Sequence, residues 1–216
     1  MFFLALALAQ AAAPDGSLLK PGTACYAIAR GDTAMGATFQ KVVAATVDGM
    51  PVWDVVVHQR IGDGKFDLRD HFVLRRADLT PIAMDSRKSG VEHVRVVYGD
   101  GKAVTTRPGA DPVETAFTGR IWDGNLWGLT FAALPLAQGA HFELPFYQYD
   151  KGLGHFTLDV VGSETVARRD AWTVEVTMDQ RKVRYQIGKA DRAELGYYGG
   201  GFAQRLGGDC SAIQPQ

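Results

Sequence analysis

The sequence predicts a mostly β protein: a strongly curved antiparallel sheet, an open or half barrel, holding one short buried helix. Three observations predict it. Apolar and polar residues alternate with period two along most of the chain, as half-buried strands do. Asp-Gly and Gly-Asp-Gly steps, which accept positive φ, separate the alternating runs. One apolar stretch, 123–134, breaks the alternation and reads as a helix that must be buried.

The chain opens on MFFLALALA followed by QAAAPDG. The apolar run is too short for a bilayer, which takes about 20 residues. Ala9-Gln10-Ala11 matches the A-x-A cleavage pattern of an export signal. Residues 1–11 are therefore expected to be a signal peptide, with 12–39 an N-terminal segment, 40–210 a single β-rich domain and 211–216 a C-terminal tail. The expected location is periplasmic or secreted. No later stretch is apolar enough to be a transmembrane span. Cys25 and Cys210 are the two cysteines, and in an exported chain they form one disulfide. Pro21 and Gly22 stand where a lipoprotein signal needs its apolar residues, so Cys25 is not a lipidation site.

The strands follow in order. In 51–61, Trp53, Val55, Val57 and Ile61 share one face, opposite Asp54, His58 and Arg60. In 65–75, Phe66, Leu68, Phe72 and Leu74 oppose Asp67, Arg69, His71 and Arg75. Val94, Val96 and Tyr98 mark the next run. After the helix come Phe156, Leu158 and Val160, then Trp172, Val174, Val176 and Met178, then Val183, Tyr185 and Ile187. The turns are Asp48-Gly49, 62–64, Gly99-Asp100-Gly101 and 179–181. Residues 107–120 read as a polar loop. In the helix, Asp123 is the expected N-cap and Pro135 the stop, while Gly128 lowers its stability by about 1 kcal/mol relative to Ala.

Charge and motifs exclude several function classes. Lys plus Arg total 23 against 24 acidic residues, so no basic face for nucleic acid is expected. The chain lacks a G-x-S-x-G elbow, a P-loop and an H-E-x-x-H motif. No two of the five histidines lie within five residues, so no metal site and no cofactor are expected. Asp54 and His58, four residues apart on one strand, are roughly 13 Å apart along it and make no pair. Arg69, Asp70 and His71 alternate between faces. Asp70 falls on an otherwise apolar inward face, where a carboxyl needs a partner or a site. Ser86 and Lys88 lack the S-x-x-K spacing of serine nucleophiles.

Several stretches then resemble one family. Val94-Arg95-Val96-Val97-Tyr98-Gly99-Asp100-Gly101 gives a strand–Tyr–Asp–Gly hairpin. Leu134-Pro135-Leu136 with Gly139, and Val161-Gly162-Ser163-Glu164-Thr165-Val166, follow in order. Over about 40–190 the chain resembles the bacterial envelope family of domain of unknown function 3108. It departs at Arg169-Asp170-Ala171-Trp172, where the family usually places a glycine-containing turn. The resemblance implies a curved sheet shaped like the LolA and LolB lipoprotein carriers, with helix in its concavity. It supplies no catalytic residues.

Two kinds of function remain. The first is a non-catalytic envelope module that binds an apolar or lipid-like ligand, or an envelope protein partner. Trp127, Phe131, Phe146, Tyr147, Tyr149 and Asp70 are its candidate ligand-binding residues. The alternatives are a hydrolase assembled from Asp70, His71 and His93, which must then converge in a pocket, and a purely structural scaffold with a filled core. Whether the concave side is empty or filled separates them.

Overall fold

The computed structural model describes residues 13–178 and 181–213. The expected signal peptide, and Asp179 and Gln180 of the expected 179–181 turn, lie outside the described residues. A short 3-10 turn, Gly16–Leu18, precedes the first strand. The strands are β1 (Gly22–Arg30), β2 (Thr33–Val47), β3 (Met50–Ile61), β4 (Phe66–Arg75), β5 (Pro81–Lys88), β6 (Val91–Gly99), β7 (Lys102–Thr106), β8 (Val113–Ala116), β9 (Trp122–Asp123), β10 (His141–Gln148), β11 (Gly152–Val166), β12 (Arg169–Met178), β13 (Arg181–Gly188), β14 (Glu194–Gly199) and β15 (Phe202–Leu206). One helix, α1 (Gly128–Ala132), interrupts them.

All fifteen strands join one sheet, in the order β8-β7-β6-β5-β4-β3-β2-β1-β15-β14-β13-β12-β11-β10-β9. Neighbours are antiparallel except β9 and β10, which run parallel. The sheet is thus two meanders joined where the first strand meets the last. The expected segment 12–39 contributes β1 and half of β2 to it, and the expected break at 39/40 falls inside β2. Residues 107–120, expected as loop, contain β8, which pairs with β7.

Turn chemistry sets the register. Asp48-Gly49 (φ 49°, 80°) and Asp100-Gly101 (φ 50°, 71°) have positive φ at both turn positions. That backbone matches the right-handed twist of the flanking strands. A further turn, Ala167-Arg168 between β11 and β12, adopts the same conformation (φ 48°, 64°) with no glycine. It leads directly into Arg169-Asp170-Ala171-Trp172, the stretch where the sequence departs from the family pattern, which opens β12.

Strands from opposite ends of the order are tied by side chains. Tyr98 Oη in β6 donates to Asp123 Oδ2 in β9 at 2.7 Å. Thr105 Oγ1 in β7 lies 2.6 Å from Tyr147 Oη in β10. Arg107 Nη2 donates to the Tyr149 carbonyl at 2.8 Å. These bonds draw the sheet into a barrel-like curl whose last seam is laced by side chains, not by a backbone ladder.

The inward faces build a continuous core. Trp53, Phe72, Leu74 and Met84 pack on one side, and Phe131, Leu144, Phe156, Leu158 and Ile187 on the other, all essentially without solvent contact. Every residue of α1 is buried. The helix is shorter than the expected 123–134, and Asp123 does not cap it. Asp123 closes β9, where its Oδ1 accepts from Asn125 N (2.8 Å) and Asn125 Nδ2 (3.0 Å), a local turn that competes with helix. Trp127 precedes the helix without a side-chain cap and donates Nε1–H to the Gly124 carbonyl at 2.6 Å.

A disulfide joins Cys25 in β1 to Cys210, with Cα atoms 5.8 Å apart and a sequence separation of 185. Gly207 and Gly208 N–H both donate to the Cys25 carbonyl, so the chain end lies along β1. No helix among the described residues is long and apolar enough to cross a membrane.

Candidate functional site

The concave side is half filled. Helix α1 and the core occupy one part, and a hollow of about 890 Å³ remains between β1–β3 and β12–β15. Strand alternation points Ile28, Val57 and Ile61 into it from one wall. Val176, Met178 and Val183 face them from the other, and Leu126, Trp127 and Leu129 form the base. The walls are apolar because these are the inward positions of their strands.

A line of polar side chains runs across this lining. Gln59 Nε2 donates to Thr38 Oγ1 at 3.3 Å, and Thr38 Oγ1 donates to Gln204 Oε1 at 2.7 Å. Gln204 Nε2 donates to Glu194 Oε1 at 3.3 Å. Glu194 is only 8% exposed yet lines the hollow. Burial pushes its carboxyl up to about 7, against the opposing Gln204 hydrogen bond. Burial, with the Glu194 charge, also raises Tyr185 and Tyr197 beside it. Gly128 makes room for the acid: a Cβ there would lie 2.0 Å from Glu194 Oε2.

Of the six sequence-derived candidates, Trp127 lines this hollow. Phe131 lies beneath it, edge-on to Phe156 and Tyr185 at 5.3 and 5.2 Å between ring centroids. Phe146 packs on Phe156 at 4.3 Å within the core. Tyr147 belongs to the seam with Thr105. Tyr149 stacks edge-on with His93 at 5.8 Å. Asp70 is buried, as its inward position required, but away from the hollow. Ser86, its partner across β4–β5, is buried beside it. Burial raises Asp70 to about 7; Ser86 opposes this, and the charges of Asp123 and Asp85 add to it.

Asp70, His71 and His93 do not converge. His71 points to the outer face, between Asp54 (Nε2–Oδ2 3.0 Å) and Asp85 (Nδ1–Oδ2 2.8 Å). Burial pulls its pKa down, but the two carboxylates outweigh that and leave it raised. Asp54 therefore finds a histidine across a strand pair, not along its own strand. His58 likewise reaches Asp67 at 2.8 Å. The 62–64 turn pairs Ile61 with Phe66, which sets His71 diagonal to Asp54, a register the sequence carries.

Glu194, Gln204, Gln59 and Thr38 are the residues sequence reasoning missed. Their signal was weak: single polar residues at inward positions of strands distant in sequence.

No curated protein matches the chain in sequence. Among solved structures it is similar to a beta-barrel-like protein of domain of unknown function DUF1849 from Brucella abortus. The TM-score is 0.55 at 11% identity, covering 87% of this chain and 95% of that one. At that identity the likeness concerns the fold alone. The family model described as Protein of unknown function (DUF3108) matches residues 25–197, and the chain belongs to that family.

Proposed function

We propose that the chain is an exported binding module, periplasmic or secreted, that holds an apolar, lipid-like ligand in the hollow of its curved sheet. The observation that carries this reading is the hollow itself: about 890 Å³, apolar walls and a polar line ending at a buried carboxyl. Pockets of roughly 300–1,000 Å³ with few convergent polar groups are the usual form of small-molecule sites. The ligand's apolar part lies against Val57, Val176 and Met178. Its polar end donates a hydrogen bond to Glu194 or Gln204. The LolA- and LolB-like shape that the family resemblance implies supports a carrier by analogy. Export is supported by the A-x-A pattern at 9–11 and by the disulfide, a bond of oxidising compartments.

Native mass spectrometry of protein purified from its own cells, with titration of a fluorescent long-chain fatty acid, tests the reading. A co-purified apolar ligand, or saturable binding that Val57→Trp weakens by narrowing the hollow, is expected. A clean apo mass together with no saturable binding overturns it.

A further inference from the structure

We propose that the outer face of β3–β6 carries a second site, for a phosphate-bearing ligand held by Arg69, Arg87 and Arg95. Arg69 and Arg87 are direct partners across β4–β5. Like charges placed directly opposite each other destabilise a strand pair. Neither arginine makes an ion pair among the described residues, and Arg69 Nε is buried with no hydrogen-bond partner. The nearby carboxylates are engaged elsewhere: Asp67 by His58 at 2.8 Å, Asp85 and Asp54 by His71 at 2.8 and 3.0 Å. Imidazoles thus take the acids while the stronger cations stand open, the reverse of what stability alone favours.

Apart from Asp54, these groups line a groove of about 750 Å³. Arg95 lies opposite Asp85 in the register and touches Glu92 only at 4.0 Å. His58, opposite Arg69, has its buried Nδ1 without a partner. Two guanidinium forks side by side match the planar, multidentate demand of a phosphate oxyanion. The anion would supply the missing acceptor for Arg69 Nε and remove the repulsion between Arg69 and Arg87. The groove is larger than one phosphate, which suits a phosphorylated head group or polymer. It lies on the face opposite the hollow, so the two sites are independent.

The test is calorimetric titration with sodium pyrophosphate and co-sedimentation with phosphatidylglycerol vesicles, at low salt. Wild type, Arg69→Gln/Arg87→Gln and the charge control Lys41→Gln are compared. Saturable binding that falls tenfold or more in the double variant, with the control unchanged, supports the site. Binding to vesicles but not pyrophosphate assigns it to a lipid head group, and the converse to a soluble phosphate. Thermal stability of Arg87→Gln without anion should equal or exceed wild type. No binding to either probe, equal binding by all three proteins, or a clear loss of stability in Arg87→Gln overturns the proposal.

Discussion

Gly128, the first residue of the buried helix, leaves the space that the carboxyl of Glu194 fills: a methyl group at 128 would come within 2.0 Å of Oε2. Helix propensity favours Gly128→Ala by about 1 kcal/mol. Overpacking against a buried, hydrogen-bonded acid costs about 1–3 kcal/mol. The clash wins, so Gly128→Ala should lower the urea midpoint and displace Glu194 from Gln204. A rise in the midpoint would show that the acid moves freely.

The buried acid also makes stability pH-dependent. Glu194 rises from an ordinary 4.5 to about 7 in the folded chain. Between those values the folded state keeps a proton that the unfolded state has lost. Stability therefore falls as pH rises through this window and levels off above about 7. At roughly 1.4 kcal/mol per pH unit, the window is worth on the order of 3 kcal/mol. Asp70, also raised to about 7, acts with the same sign. Glu194→Gln should flatten part of the slope and exceed wild-type stability at pH 8. Urea unfolding from pH 4.5 to 8 reads this, and an unchanged slope would place the acid in solvent.

Tyr98 and Asp123 lace the seam between the two ends of the sheet. Tyr98→Phe leaves one oxygen of a buried carboxylate without its donor, which costs about 1–3 kcal/mol. Tyr147→Phe, which removes a neutral hydroxyl pair with Thr105, should cost less. Urea midpoints of the two variants give the order directly, and the slope of the transition should stay at the wild-type value.

Replacing both cysteines by serine, Cys25→Ser/Cys210→Ser, removes a cross-link between positions 185 apart in sequence. The expected loss is about 2–5 kcal/mol. The variant and reduced wild type should unfold at the same urea concentration.

The Ala167-Arg168 turn holds two non-glycine residues at positive φ. Asn-Gly suits this turn without the penalty of a side chain in the left-handed region. Ala167→Asn/Arg168→Gly should raise stability by about 1 kcal/mol, measured as a higher thermal midpoint.

The legible part of this fold was its local part. Alternation placed Trp53, Phe72, Val94, Leu158 and Tyr185 on inward faces, where they are buried or nearly so. Asp48-Gly49 and Asp100-Gly101 announced their hairpins because Asp and Gly accept positive φ readily. Ala167-Arg168 announced nothing, because its conformation is imposed by the strands on either side. Asp123 looked like a helix cap, because the distant Tyr98 that holds it as a seam residue is invisible in the local sequence. The hollow was hidden for the same reason. Phe146 and Tyr147 are as aromatic as Trp127, yet only the curvature of the assembled sheet decides which of them borders open space. Glu194 sits beside Leu195, and a lone acid in sequence reads as a surface residue until a partner strand covers it.

The pairing of β1 with β15 puts the first and last strands side by side in the middle of the sheet. Each meander can zip up from its own hairpins, but this junction awaits the far end of the chain. Contacts of such long sequence separation form slowly. Ile28 and Thr38 come from one side of the junction, and Glu194 and Gln204 from the other. A chain caught before that pairing therefore has two sheet edges and no hollow: the cavity takes shape only when the two ends of the chain meet.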